Sequence, residues 1–113
     1  MTSEPEELQA EERFERLADR FLADPAVSQG TGFGSSAGLR VGKKIFAMLG
    51  REHELIVKLP KERVDELVAS GAGARFEPRR DGRLMKEWVT VPAGQGDWER
   101  LVSEAFEFVR SGR

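Results

Sequence analysis

The 113-residue sequence predicts an α+β domain of two layers, in which three helices cover an antiparallel sheet of five to six strands. Three segments carry apolar residues at the spacing of a helix, whereas the segments between them alternate apolar and polar residues as strands do. Most connections between the strands are too short for a parallel crossover, which needs a dozen or more residues. Neighbouring strands must therefore pair antiparallel, with the helices packed on one face of the sheet.

The first helix is predicted over residues 4–23. Ser3 and Glu6 have the spacing of a capping box, and glutamates in the first turn favour the positive end of the helix dipole. Asp24-Pro25 ends the helix, because the residue before a proline is pushed away from the helical conformation. The apolar stripe of this helix consists of Ala10, Phe14, Leu17, Ala18 and Phe21.

Three or four strands are expected after this helix. The first two are the hardest to place, because glycine and serine are frequent over residues 28–42. A tight turn at Gly42-Lys43 leads into a strand that is apolar on both faces, which predicts a central position in the sheet. The next strand alternates strictly, which predicts one face on the core. The predicted strands are Val27–Phe33, Leu39–Val41, Lys44–Leu49 and Glu54–Leu59.

A second helix, two further strands and a third helix complete the predicted order, α-β3/4-α-β2-α. Pro60 fixes the backbone at the start of the second helix, and Gly71 can adopt the left-handed conformation that ends it. Asp97 is expected to cap the third helix, which runs to about Arg110 with its apolar residues on one half. The two intervening strands are expected at Arg75–Glu77 and Met85–Val91.

Length and composition predict a single domain, residues 1–113, in the cytoplasm. The chain contains no cysteine, which excludes disulfides, thiolate nucleophiles and cysteine-ligated metal sites. No apolar run approaches the roughly 20 residues that span a bilayer, so no membrane contact is expected. The acidic N-terminus lacks the basic and apolar regions of a signal peptide.

Charge is distributed unevenly along the chain, although the net charge is only −2. Residues 1–24 hold three basic and eight acidic side chains, whereas residues 40–86 hold twelve basic and seven acidic ones. If the basic groups of the middle segment converge on one face, they present a positive surface suited to phosphates. The alternative is the ordinary charged surface of a globular domain. The candidate anion-binding residues are Arg40, Lys43, Lys44, Arg79, Arg80, Arg83 and Lys86.

Four aromatic residues on or near the predicted strands have two possible uses. Phe33, Phe46, Phe76 and Trp88 could offer faces on which nucleic-acid bases stack. Strand aromatics more often build the core, which is the expectation here for most of them.

The sequence argues against the common enzyme classes and against a cofactor. The glycines over residues 30–38 miss the spacing of dinucleotide and P-loop fingerprints, and turns or a bulge explain them better. His53 is the only histidine and is expected to be a solvated turn residue, because metal sites and general-base networks need convergent partners. Ser35 and Ser36 lack the context of a nucleophile. No metal, cofactor or catalytic residue is therefore expected.

Several stretches together resemble the TfoX/Sxy N-terminal-domain family. They are GLRVGKKIFAML at Gly38–Leu49, LPKERVDELVASG at Leu59–Gly71, MKEWV at Met85–Val89, and the last helix with Trp98 and Glu104-Ala105. The family is close in fold to the MmcQ/YjbR proteins, many of which are suggested to bind DNA. The resemblance implies a bacterial protein with a two-layer α+β fold and an antiparallel sheet, and it brings no catalytic residues.

The leading functional hypothesis is a non-enzymatic regulatory or binding module that contacts nucleic acid through its basic residues. The alternative is an adaptor that binds a regulatory protein through an exposed sheet face or edge. This alternative is motivated by Phe46, Met48 and Ile56, which need not all fit beneath the helices. A third hypothesis, a small-molecule enzyme, would require a pocket with convergent polar groups.

Overall fold

A computed structural model of the protein describes residues 6–31, 37–50, 53–76, 85–92 and 97–112. These residues form an α+β fold, as the sequence predicts. In chain order its elements are α1 (Glu6–Leu22), β1 (Val27–Thr31), β2 (Ala37–Val41), β3 (Lys44–Leu49), β4 (Leu55–Lys58), α2 (Lys61–Ser70), β5 (Ala74–Phe76), β6 (Met85–Val91) and α3 (Trp98–Arg110).

The six strands form one antiparallel sheet in the order β1-β2-β3-β4-β6-β5. The first four strands follow one another through short turns. Helix α2 then carries the chain past the next position to β5 at the edge, and β6 returns between β5 and β4. Strands β3 and β4 therefore occupy the centre, which confirms the central position predicted for β3.

The local signals at the helix ends act as the sequence indicates. Gly71 ends α2 in the left-handed conformation, with φ 81°, and Asp97 caps α3 by accepting a 3.1 Å hydrogen bond from the backbone N–H of Arg100. Pro60 precedes α2 as its cap residue, with extended backbone angles. The first helix ends at Leu22, and Asp24 closes the following turn by accepting a hydrogen bond from the N–H of Ala26. Ser3 lies outside the described residues.

Strands β3 and β6 have the predicted bounds, and the bounds of the other strands differ from the predicted ones by one or two residues. Strand β1 ends at Thr31, so Phe33 lies beyond it and outside the described residues. Strand β4 is shorter than predicted by one residue at each end. The pairing of β4 with β6 nevertheless continues past Lys58, because the N–H of Leu59 donates a 2.9 Å hydrogen bond to the carbonyl of Glu87.

A bulge in β3 places Phe46 in the core beneath the helices. Leu39 pairs with Ala47 while Arg40 pairs with Ile45, so Phe46 is the extra residue on β3. Its ring is fully buried, with its centroid 6.0 Å from that of Phe21 in α1 and 5.4 Å from that of Phe106 in α3. Simple alternation put Phe46 on the face opposite Ala47, which is wrong because the extra residue resets the alternation.

The outer face of the sheet, the face away from the helices, is also buried at its centre. Met48 and Ile56 pair across β3 and β4 and lie outside the core cluster that the helices cover. They are nevertheless 0% and 3% exposed. The expectation that Phe46, Met48 and Ile56 contribute an exposed apolar surface is therefore wrong for all three.

Two of the ion pairs among the described residues join α1 to other elements. Arg20 forms an ion pair with Glu99 at the start of α3. Near the other end, Glu11 lies 3.3 Å from Nε2 of His53 in the turn between β3 and β4. His53 has a left-handed backbone, with φ 62°, and its side chain is largely covered. It is thus a bridge between two elements rather than a solvated turn residue.

Asp65 attaches α2 to the edge of the sheet. Its carboxylate accepts a 3.0 Å hydrogen bond from Lys61 and a second one from Arg75 of β5. The hydrogen bond from Lys61 is the main cause that lowers the pKa of Asp65 below its ordinary value of 3.8; burial opposes this effect, and Arg75 adds to it. The ionised form of Asp65 is therefore favoured by folding.

The bulge predicts unequal costs for two neighbouring substitutions. Phe46→Ala should lower the free energy of unfolding by about 3–5 kcal/mol, since it empties a fully buried site. Ile45→Ala is the matched control, because this side chain lies on the other face and is only half-buried; it should cost clearly less. Urea denaturation measures both values, and equal losses would contradict the placement of Phe46.

The Asp65 contacts predict a pH dependence of stability. Because the folded pKa lies below the unfolded one, Asp65 stabilises the fold above about pH 4, and this contribution is lost as the pH falls through the folded pKa. Asp65→Asn should therefore lower the unfolding midpoint at pH 7, and the difference from wild type should shrink on acidification. Glu66→Gln removes a carboxylate from the same helix as a control. A loss at pH 7 no larger than that of the control would refute the role of Asp65.

Candidate anion-binding site at the lysine end of the sheet

All five lysines of the chain lie at one end of the sheet, named here the lysine end. Lys43 is in the turn between β2 and β3, and Lys44 begins β3. Lys58 ends β4, which returns to the same end, and Lys61 follows in the first turn of α2. Lys86 lies near the start of β6, which leaves from this end again. Strand direction alone therefore gathers residues that are up to 43 positions apart in the sequence.

The three central strands bring the backbones of three of these lysines to neighbouring positions at the same end of the sheet. Lys44 and Lys86 lie on the strands that flank β4, so their backbones are separated by two strand spacings, or about 10 Å. Lys58 lies between them on β4 and pairs directly with Trp88 of β6.

The tip of the β2–β3 hairpin owes its shape to one glycine. Val41 pairs with Lys44, which leaves Gly42 and Lys43 as a two-residue turn. Gly42 has φ 64° and Lys43 does not have a positive φ, the pattern of a type II′ turn with glycine in its first central position. This turn holds Lys43 exposed at the end of the sheet.

The lysines and arginines of this protein differ in how often they pair with carboxylates. Lys61 lies 3.0 Å from Asp65. Within the described ranges, none of Lys43, Lys44, Lys58 and Lys86 has a carboxylate within 4.0 Å. The arginines that form ion pairs within the fold are Arg20, Arg63, Arg75, Arg100 and Arg110.

Exposed carboxylates outnumber exposed arginines on α1 and α3, although Glu99 and Glu107 pair with Arg20 and Arg110. The solvent faces of α1 and α3 carry exposed carboxylates, while two carboxylates, Glu62 and Glu87, share the lysine end without pairing with those four lysines. A separation of charge of this kind directs an anionic ligand to the positive end. The exposed carboxylates of α1 and α3 are Glu11, Glu12, Glu15, Asp19, Glu99 and Glu107.

The predicted anion-binding residues are brought together only in part. Lys43, Lys44 and Lys86 lie at the lysine end, and so does Arg40, which pairs with Ile45 and is half-buried on the outer face of β2. Arg79, Arg80 and Arg83 lie outside the described residues. Sequence reasoning missed Lys58 and Lys61. Strand β4 runs back toward the end of the sheet at which β3 begins, so the predicted strand order would have placed both lysines beside the β2–β3 turn.

The four aromatic residues considered for base stacking also lie in different environments. Phe46 belongs to the core, where aromatic contacts surround it. Trp88 and Phe76 remain partly exposed, and Phe33 lies outside the described residues. Trp88 is not packed against the core cluster under the helices.

No group of three histidine, cysteine or acidic side chains lies close enough to hold a metal ion in the ranges that the structure describes. In the same ranges, no helix combines the length and the apolar character needed to cross a membrane.

The fold and the site define a small α+β domain with an open antiparallel sheet and a basic strand end. A family model described as YjbR matches residues 22–108, well over half of the chain, and the chain therefore belongs to the YjbR family. Neither the curated proteins nor the solved structures include a significant match to it.

The lysines of the lysine end should contribute little to stability. A variant carrying Lys43→Gln, Lys44→Gln and Lys86→Gln removes three exposed charges that have no carboxylate partner among the described residues. Each change should alter the free energy of unfolding by no more than about 0.5 kcal/mol, as measured by urea denaturation. A combined loss above about 3 kcal/mol would show instead that these side chains hold the fold together.

Proposed function

We propose that the protein is a non-catalytic binding module that holds nucleic acid by its phosphates at the lysine end. The observation that carries the proposal is that every lysine of the chain lies at this end, and four of them have no carboxylate partner among the described residues. Arginine performs the structural pairing elsewhere. The lysines are thus left available for an external anion.

The physical basis is the release of counterions from a phosphate chain. Each phosphate that a lysine neutralises frees condensed cations, so affinity falls steeply as salt rises. Lysine suits such contacts because its ammonium group is a compact charge on a flexible stem, able to follow phosphates without a fixed geometry. The small excess of exposed carboxylates on α1 and α3 makes the helix faces less favourable for the same ligand.

The order of elements and the quoted sequence stretches also support a relationship to the TfoX/Sxy N-terminal-domain family. A regulatory module acting on nucleic acid in the bacterial cytoplasm is consistent with that relationship. The adaptor hypothesis has less support, because the apolar residues proposed to form its exposed surface, Met48 and Ile56, are buried.

Binding of a fluorescently labelled oligonucleotide at about 50 mM salt tests the proposal. The wild type should bind with an affinity that falls as salt is raised to 200 mM. The variant with Lys43→Gln, Lys44→Gln and Lys86→Gln should bind about tenfold or more weakly and with a shallower salt dependence, since it has lost three phosphate contacts.

A matched control removes the same number of charges elsewhere. Arg16→Gln, Arg100→Gln and Arg110→Gln lie on the exposed faces of α1 and α3. This variant should bind about as well as the wild type. The proposal fails if the wild type does not bind at 50 mM salt, or if both triple variants weaken binding equally.

A further inference from the structure

We infer that Trp88 is a stacking platform, so that the lysine end takes single-stranded nucleic acid with a base laid on this indole. The inference rests on the proposed function and adds the kind of nucleic acid and the residue that recognises it. It is carried by the position of Trp88 among the lysines and by the lack of any other aromatic contact to its ring in the described structure.

Trp88 lies on the outer face of the sheet between two lysines. Its neighbour Val89 pairs with Val57, and both belong to the core beneath the helices. Because side chains alternate along a strand, Trp88 and its partner Lys58 point to the opposite face. Their Cβ atoms are about 4.5–5.5 Å apart, as for any directly paired residues. Lys86 is two residues away on the same strand, about 7 Å along the chain.

The indole of Trp88 does not share the contacts of the phenylalanine cluster in the core or those of Trp98. Phe21, Phe46 and Phe106 pack against one another, and Trp98 is fully buried with the Arg13 guanidinium 4.7 Å from its ring centroid. Trp88 is only partly buried and has no ring or cation–π contact to another described residue. A partly exposed apolar ring therefore lies near Lys58 and Lys86, which have no carboxylate partner among the described residues.

A single strand fits this arrangement better than a duplex. Aromatic faces next to a positive track are the usual means of holding single strands, because unpaired bases can leave their own stack and lie on the ring. A duplex keeps its bases stacked inside and is most often read by a helix in the major groove. Helices α1 and α3 present carboxylates to solvent, which repel a phosphate backbone.

Three probes of comparable charge separate base stacking from charge contacts. They are a twelve-residue deoxythymidine oligomer, an abasic oligomer of the same length and inorganic polyphosphate. Trp88→Leu removes the ring but retains an apolar side chain, and Trp88→Phe retains a smaller ring. Circular dichroism and thermal unfolding establish that each variant is folded before binding is compared.

Trp88→Leu should weaken binding of the thymidine oligomer by roughly 5- to 140-fold, the range for the loss of one stacked base. Its affinity for the abasic oligomer and for polyphosphate should stay within about twofold of wild type. Trp88→Phe should retain most of the affinity for thymidine. The inference is overturned if Trp88→Leu weakens all three probes alike or none, or if the wild type prefers a duplex of the same length.

Fluorescence gives a second measurement that needs no destabilising variant. The chain has two tryptophans, and Trp98 is fully buried, so the emission that disappears in Trp88→Phe belongs to Trp88. The thymidine oligomer should quench this component, and the abasic oligomer should not. Binding of all three probes without quenching removes the stacking role and leaves the proposed function intact. Failure of all three probes to bind overturns both.

Discussion

The pairing of β4 with β6 is the contact on which both the core and the candidate site depend. It joins residues about thirty positions apart, and it places Val57 and Val89 side by side beneath the helices. The same pairing sets Lys58 next to Trp88 on the other face. A one-residue slip would exchange the two faces of β6. The core would then receive the side chains of Trp88 and Thr90 in place of those of Val89 and Val91. Burial of the valines beneath the helices therefore also fixes which side chains of β6 lie on the outer face.

The division of labour between arginine and lysine follows from their chemistry. Arginine carries a planar fork of donors that matches a carboxylate, and Arg63 uses it to hold Glu104 at 2.9 Å and so connect α2 with α3. Lysine is strongly hydrated, and it loses more side-chain entropy for each hydrogen bond when it is held in one geometry. Surface pairs of either kind contribute little stability individually. Their distribution therefore bears more on the electric field around the protein than on its folding.

The sequence predicted most of the elements because their signals are local. Asp97 and Gly71 act within one turn of the chain, and helical periodicity located the residues that α1 and α3 bury. The bulge at Phe46 could not be predicted in this way, because it depends on how β3 pairs with β2. The position of β6 between β4 and β5 likewise depends on tertiary contacts.

The same limit explains what was missed at the site. The basic middle segment pointed to Lys43, Lys44 and Lys86 together with Arg40, Arg79, Arg80 and Arg83. Lys58 and Lys61 escaped notice because their neighbourhood follows from strand direction and not from proximity in sequence. His53 was misjudged for a related reason: its partner, Glu11, lies on an element more than forty positions away.

The two edges of the sheet differ in a way that affects how the protein can associate with other chains. Strand β5 has only three residues, its register with β6 shifts after Arg75, and the Arg75 side chain is engaged with Asp65. Short, irregular and charged edges are poor templates for another strand, and many sheet proteins avoid aggregation in this way. Strand β1 is longer and pairs with β2 in an unbroken register. Any growth of the sheet by strand addition would therefore begin at β1, on the side of the molecule away from Trp88.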